Sequence, residues 1–174
     1  MSTTYAVGQR LTAAMIQSLA DYTINRPLVR LTQAAAQSIS DNTHTALTFG
    51  TGSTLIDTHG YHSESTNNSR VTPLLAGVYA VSGGYSTSAR TDYASLQASI
   101  RLNGTNLASD NKMGPNATSA NREVVVGPVF VQMNGTTDYV EIAGYQDNVA
   151  NVAVNTNVSG SSASSLQVEF LRPA

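Results

Sequence analysis

The sequence predicts an all-β domain, a sandwich or barrel of eight or more short strands, which follows a short helical arm. From residue 29 onward, apolar and polar residues alternate with the period of two that is typical of strands with one buried face. Turn-forming Gly, Asn and Pro recur at intervals of about ten to twenty residues, and no second helical pattern follows the arm. The chain has 174 residues, the size of one ordinary domain.

Residues 1–28 are predicted to form an arm that contains a helix over about residues 12–22. Apolar residues recur there at helical spacing, at Leu11, Met15, Ile16 and Leu19. Thr12 is a suitable N-cap, and Pro27 ends the helix because the residue before a proline disfavours helical backbone. A helix of three turns is marginal on its own, so we expect its apolar stripe to dock on the β domain or on a partner.

Residues 29–174 are predicted to form the β domain. Its strands are expected at residues 29–33, 45–49, 77–82, 95–102, 121–133, 138–145, 149–158 and 166–171. Asn103-Gly104 and Asn134-Gly135 each follow a strand and are strong signals for a hairpin turn. Pro128 cannot donate a backbone hydrogen bond, so it indicates a bulge or an edge position within its strand.

Charged residues are scarce in this chain. Only 20 of the 174 residues are charged, the net charge is −2, and polarity comes instead from 54 Ser, Thr and Asn residues. There is no basic patch to bind nucleic acid and no apolar run near the ~18 residues of a membrane span. The chain has no cysteine, no phosphate-binding loop and no Gly-x-Ser-x-Gly elbow. We therefore expect no nucleic-acid or membrane partner, no cofactor and no catalytic residues.

Several segments carry a family resemblance. Residues 69–81 read Ser-Arg-Val-Thr-Pro-Leu-Leu-Ala-Gly-Val-Tyr-Ala-Val and resemble the entry to a central strand in the jelly rolls of the tumour-necrosis-factor and complement globular-head family. Three further segments resemble that family's next strand, its long hairpin and its closing strand, namely residues 96–104, 129–142 and 166–171. Thr136-Thr137 departs from the family pattern by separating the turn Gly from Asp138.

The resemblance covers about residues 29–171 and implies a jelly-roll β-sandwich of about ten strands. It also implies a tight homotrimer in which one sheet faces the threefold axis. On that basis the residues expected at the trimer interface are Tyr79, Val81, Tyr139 and Glu141. The alternative is that each of them is an ordinary core or surface residue of a single subunit.

The arm carries a second resemblance. Residues 7–16 read Val-Gly-Gln-Arg-Leu-Thr-Ala-Ala-Met-Ile and resemble the opening of many structural proteins of tailed phages that infect actinobacteria. The resemblance implies a virion protein whose arm precedes a jelly-roll or fibre-like domain. The residues expected to anchor it to the major capsid protein or another virion protein are Leu11, Met15, Ile16 and Leu19.

One segment, residues 57–64, has metal-ligand chemistry. It offers two imidazoles and two carboxylates, donors that suit zinc or a similar ion, at Asp57, His59, His62 and Glu64. The segment is also rich in Gly, Ser and Thr and is predicted to be a loop, so a solvated polar loop is the alternative to a metal site.

A second loop segment could bind sugars. Tyr85 and Tyr93 fall in a predicted loop with Arg90 and Asp92 nearby, where exposed aromatic rings could stack on a glycan. Packing within the loop is the alternative to glycan binding.

These observations favour a non-enzymatic phage structural protein, a trimeric decoration or minor capsid protein on the exterior surface of the virion. The alternative is a receptor-binding or glycan-binding module of a tail fibre or tail tip, which would present residues 57–69 and 84–94 to the host surface. A cellular ligand domain like the complement head is a third, less favoured reading, because the N-terminus lacks the pattern of a signal peptide.

Overall fold

A computed structural model describes residues 12–16, 20, 25–113 and 120–174 of the chain. Besides the helical residues of the arm, these residues contain eleven strands and one short 3-10 helix. Their order is β1 (Leu28–Thr32), β2 (Ser38–Ile39), β3 (Thr45–Ala46), β4 (Thr54–Asp57), β5 (Gly77–Arg90), β6 (Tyr93–Leu102), β7 (Thr105–Met113), β8 (Ala120–Met133), β9 (Val140–Asn148), β10 (Val154–Asn155), the 3-10 helix (Gly160–Ser162) and β11 (Ser165–Pro173).

Two antiparallel sheets pack face to face. The five-stranded sheet has the order β4-β1-β11-β5-β8, and the four-stranded sheet has the order β3-β9-β6-β7. The short strands β2 and β10 form a separate pair. The first strand of the β domain lies beside the last one, because β1 pairs with β11 from Leu28↔Glu169 to Thr32↔Ser165. The predicted all-β sandwich is confirmed.

The core lies between the two sheets and is built from alternate residues of each strand. On β5, Tyr79, Val81 and Tyr85 are fully buried, whereas Val78 and Ala80, which alternate with the first two, are partly exposed. The rings of Tyr79 and Phe170 meet edge to face with centroids 5.2 Å apart. Such aromatic pairs stabilise a core beyond the area that they bury.

A bulge on β8 determines which residues face outward. The register passes from Val81↔Val129 to Gly83↔Val126, so two residues of β8 stand opposite one residue of β5. The bulge requires glycine at position 127, because φ there is +95° and a Cβ would lie 2.5 Å from the Val81 carbonyl oxygen. Since β8 is also an edge strand, both features predicted from Pro128 are confirmed.

The two Asn-Gly turns have different roles. Asn103 and Gly104 both adopt positive φ and join β6 to β7, which confirms the first predicted hairpin. The hairpin predicted at Asn134-Gly135 is wrong, because β8 and β9 belong to different sheets. There the chain crosses between the layers, and the Asn134 Oδ1 atom accepts hydrogen bonds from three successive amides of residues 136–138.

Several strands differ in length from the prediction. β5 continues to Arg90, eight residues further than expected, and β7 was not predicted. The strand expected at residues 149–158 is reduced to β10, because the Asn151 amide donates to the Asn148 carbonyl and turns the chain. The strand expected at residues 45–49 is reduced to β3.

The described part of the arm begins a helix where it was predicted. Residues 13–16 and residue 20 are helical. The Thr12 side chain caps the helix, since its Oγ1 atom accepts a hydrogen bond of 3.2 Å from the Met15 amide. Leu11 and Leu19 lie outside the described residues. Among the residues that the structure describes, no helix has the length and the hydropathy needed to span a membrane.

Gly144 on β9 lets the Tyr85 ring enter the core. A Cβ at this position would lie 2.6 Å from a carbon of that ring. We therefore predict that Gly144→Ala lowers the free energy of unfolding by about 1–3 kcal/mol, the usual effect of overpacking a core. Gly50→Ala is the matched control, because a Cβ at Gly50 would make only contacts of 3.7 Å or more. Urea denaturation of both variants tests this, and equal stability would contradict it.

Candidate interaction surface

The Asp57 side chain, predicted as a metal ligand, holds the loop that follows β4. Its Oδ1 atom accepts hydrogen bonds from the amides of His59 and Tyr61, at 3.3 and 3.0 Å. Its Oδ2 atom accepts a hydrogen bond of 2.8 Å from the His62 amide. A carboxylate that accepts three backbone hydrogen bonds stabilises the turn, and both of its oxygens are engaged.

The other three predicted metal ligands are engaged as well. The His62 ring nitrogens each lie 2.9 Å from a carbonyl oxygen, Nδ1 from Arg70 and Nε2 from Phe49. The Glu64 carboxylate accepts hydrogen bonds of 3.0 Å from the amides of Gly52 and Thr54, and these bonds lower its pKa. The His59 Nδ1 atom lies 2.8 Å from the Thr58 hydroxyl.

The structure therefore does not assemble these four side chains into a metal site. No group of three or more potential ligands is gathered anywhere in the described part of the chain. The side chains instead form local hydrogen bonds with the backbone. Glu64 connects its loop to the turn at residues 50–54, and His62 connects it to residue 70. The polar loop that was the alternative interpretation agrees with this geometry.

The predicted sugar-stacking residues are in the core. Tyr85 lies in β5 and Tyr93 in β6, and both are fully buried. Burial raises the pKa of both phenols. Between the two strands, Arg90 donates two hydrogen bonds of 2.8 Å to Asp92, which lowers the pKa of that carboxyl. The sugar-stacking prediction is wrong for both tyrosines, because the chain that carries them pairs as strand instead of forming a loop.

The four residues predicted at the trimer interface do not share a surface. Tyr79 and Val81 face the core and have no exposed area for a neighbouring subunit. Glu141 lies on β9 in the other sheet, is 6% exposed, and accepts a hydrogen bond of 3.3 Å from the Ser69 hydroxyl. Tyr139 precedes β9, and the Arg70 guanidinium lies 3.9 Å from the centre of its ring.

On β5 the predicted residues Tyr79 and Val81 face the core, and the side chains that face outward are one position away. Side chains alternate along a strand, so a shift of one position exchanges the core face for the outer face. The outward positions of β5 are Val78, Ala80 and Ser82, which are all partly exposed. A partner that covers this sheet would contact these residues and their neighbours on β8 and β11.

The outer face of the five-stranded sheet carries exposed apolar side chains. Phe130 and Val125 of β8 are 69% and 56% exposed, and Leu55 of β4 is 56% exposed. The bulge keeps Phe130 and Val125 on the same side of β8, although five positions separate them. Sequence reasoning missed these residues, because their outward direction depends on where the bulge lies.

A groove of about 500 Å³ lies on the same face. Gly83 and Gly84 of β5 line it, and Leu55 and Val125 form apolar parts of its wall. Arg30 and Glu123 also line the groove, together with the hydroxyl groups of Thr32, Ser82 and Ser165. Exposed apolar surface beside a groove is typical of a site where another protein binds.

Solved structures share this architecture. The globular domain of zebrafish complement 1qA aligns with a TM-score of 0.59 at 12% identity, covering 85% of this chain and 99% of that one. Murine APRIL aligns with a TM-score of 0.61 at 11% identity, covering 84% and 99%. Eiger TNF from S. frugiperda aligns with a TM-score of 0.58 at 6% identity, covering 86% and 94%.

The chain is a jelly roll. The fold expected from residues 69–81 and from the order of the strands is therefore confirmed. No family model matches the sequence, and no curated protein matches it either. At these identities the likeness concerns the fold alone.

The hydrogen bonds of His62 predict that its ring supports the jelly roll. We expect His62→Ala to lower the free energy of unfolding by about 2 kcal/mol, because a carbonyl oxygen loses the ring N–H that it accepts and the Phe49 ring loses its edge contact with the imidazole. The matched control His59→Ala changes an exposed side chain and should stay within about 0.5 kcal/mol of the wild type. Urea denaturation at neutral pH measures both, and a His62→Ala variant as stable as the control would contradict the assignment.

Proposed function

We propose that this chain is a non-enzymatic structural protein that assembles into a homotrimer through the outer face of its five-stranded sheet. The observation that carries the proposal is the exposure of Phe130 and Val125 on one face of β8 and of Leu55 on β4, at the opposite edge of the same sheet. The resemblance to the tumour-necrosis-factor and complement jelly rolls, which implies a trimer with one sheet toward the axis, supports it. An interface on this face would bury the apolar side chains that a single subunit leaves in water.

The side chains that could do acid, base or metal chemistry support a structural role. The His62 ring and the carboxylates of Asp57 and Glu64 are all engaged with backbone groups. The groove on the sheet contains one arginine and one glutamate but no histidine. These contacts fix the loops, so none of these three side chains is poised as a general base or a metal ligand.

We further propose that the trimer decorates a phage particle and that the arm anchors it. The resemblance of residues 7–16 to the opening of phage structural proteins supports this role, as do the sparse charge and the excess of Ser, Thr and Asn. The anchor consists of Leu11, Met15, Ile16 and Leu19, which would bury their apolar stripe against the major capsid protein or another virion protein. Few screened ion pairs would be involved, so binding should tolerate salt.

The sheet interface predicts that Val125→Lys weakens self-association. A lysine at this position would place a strongly hydrated charge in the apolar contact. We expect the variant to sediment as a monomer of 18.2 kDa at concentrations where the wild type is a trimer. Val149→Lys is the matched control, because Val149 is 76% exposed in the turn after β9. A Val125→Lys protein that remains trimeric would contradict the placement of the interface.

The anchor predicts that Met15→Asp abolishes binding to particles while the trimer remains folded. The change places a charge in the apolar stripe of the arm, which is separate in sequence from the sheet. Cosedimentation with capsids that lack this protein measures binding, and Ala14→Asp, on an exposed position of the same helix, is the control. Equal occupancy of wild type and Met15→Asp would contradict the anchor. Labelling confined to the tail in electron micrographs would contradict the decoration role and favour the tail module.

A further inference from the structure

Two Asn-Gly pairs with the same local sequence lie in different structural environments. Residues 103–105 and residues 134–136 both read Asn-Gly-Thr, and Asn-Gly occurs nowhere else in the chain. The first pair forms the two-residue turn between β6 and β7, and the second begins the crossover from β8 to β9. Because the tripeptides are identical, a difference in their chemical reactivity would come from the fold.

An Asn-Gly pair can lose its side-chain amide without an enzyme. The glycine amide nitrogen gives its proton to a base in the solvent and attacks the asparagine Cγ atom, and the new C–N bond closes a five-membered succinimide ring. The C–N bond to the side-chain nitrogen breaks, and that nitrogen takes up a proton and leaves as ammonia. Water then opens the ring to aspartate or isoaspartate, with no change in oxidation state. Glycine allows the attack because it has no side chain to obstruct it.

The Asn103 side chain has few contacts to give up before it reacts. It is exposed, its Nδ2 atom donates a hydrogen bond of 2.8 Å to Asp138 Oδ1, and its Oδ1 atom accepts one of 3.0 Å from the Tyr139 amide. A Cβ at Gly104 would meet only the Tyr139 hydroxyl within 4 Å, at 3.6 Å, so the space beside the attacking nitrogen is open. Two hydrogen bonds therefore hold this side chain away from ring closure.

The Asn134 side chain is held by five hydrogen bonds. Its Oδ1 atom accepts from the amides of residues 136–138 at 2.9 to 3.1 Å and from the Thr136 hydroxyl at 3.1 Å. Its Nδ2 atom donates to the Thr137 hydroxyl at 2.9 Å. Gly135 is wedged against the neighbouring backbone, where a Cβ would collide with the Ala76 amide nitrogen. Both the side chain and the peptide that would have to rotate are thus fixed.

We propose that Asn103 is a site of spontaneous deamidation and that the fold protects Asn134 from the same reaction. Each hydrogen bond that the side chain must first break slows ring closure, and Asn134 has more of them to break. In the folded chain Asn103 should therefore react about 10-fold faster than Asn134, or more. This inference goes beyond the proposed function, because the Asn103 turn belongs to the four-stranded sheet and not to the proposed interface.

The product weakens the contact between the turn and the crossover. Deamidation replaces the Nδ2 donor of Asn103 by an oxygen, so a second negative charge faces the Asp138 carboxylate at hydrogen-bond distance. The other Asp138 oxygen accepts a hydrogen bond of 2.8 Å from the Asn134 amide, so this one carboxylate joins both turns. The reaction also adds a negative charge to a chain whose net charge is −2.

The reaction can be followed on the wild-type chain. Incubation of the folded protein at mildly alkaline pH, followed by proteolysis and tandem mass spectrometry, measures aspartate and isoaspartate at both positions. The same incubation in urea is the control, because the identical tripeptides should react at similar rates once the chain is unfolded. Equal rates in the folded chain, or faster conversion of Asn134, would overturn the inference. An Asn103 that stays intact in the folded chain but reacts in urea would overturn it as well.

A variant that carries the product tests the predicted weakening. We expect Asn103→Asp to unfold at a lower urea concentration than the wild type, because its carboxylate faces Asp138. Asn106→Asp is the matched control on the next strand, since this exposed side chain accepts a hydrogen bond of 2.8 Å from the Arg101 guanidinium and a carboxylate keeps that bond. The control should be at least as stable as the wild type. Equal midpoints for Asn103→Asp and the wild type would contradict the weakening.

Discussion

The alternation of side chains along β5 is the constraint on which the rest of the structure depends. Its inward residues Tyr79, Val81 and Tyr85 fill the core, and Gly144 on the opposite sheet leaves room for the last of these rings. Its outward residues form the centre of the candidate interface. A shift of one residue would exchange the two sets, so the pairing of β5 with β8 and β11 determines the core and the outer surface together.

The fold could be predicted wherever a strand alternates and a turn has its characteristic residues. The run of residues 95–102 and the Asn103-Gly104 turn predict β6 and the turn that follows it, because both signals are local. The end of β5 was missed, since Gly-Gly-Tyr-Ser-Thr-Ser has the composition of a loop and becomes strand only through pairing with β8 and β11. The crossover at Asn134-Gly135 has the same local signal as a hairpin, and only the sheet topology separates the two cases.

The candidate site could be predicted much less well than the fold. The outward direction of Val125 and Phe130 depends on the bulge at Gly127. The alternation of apolar and polar residues in the sequence does not show where that bulge lies.

The roles of two acidic side chains were also mispredicted, because their partners are backbone groups. Asp57 and Glu64 were considered as ligands for an ion, whereas the loop itself supplies the amides that they bind. Hydrogen bonds to nearby backbone amides therefore decide whether a polar cluster is available to a ligand.

The sparse charge of the chain fits assembly better than catalysis. Neutral hydroxyl and amide groups hold its turns, and three exposed apolar side chains, Leu55, Val125 and Phe130, lie on one face of the five-stranded sheet. The measurement that tests this account most directly is the mass of the wild-type chain by sedimentation equilibrium over a micromolar dilution series. The account predicts a stable species of about 55 kDa, three times 18.2 kDa. A single species of 18.2 kDa throughout the series would contradict it.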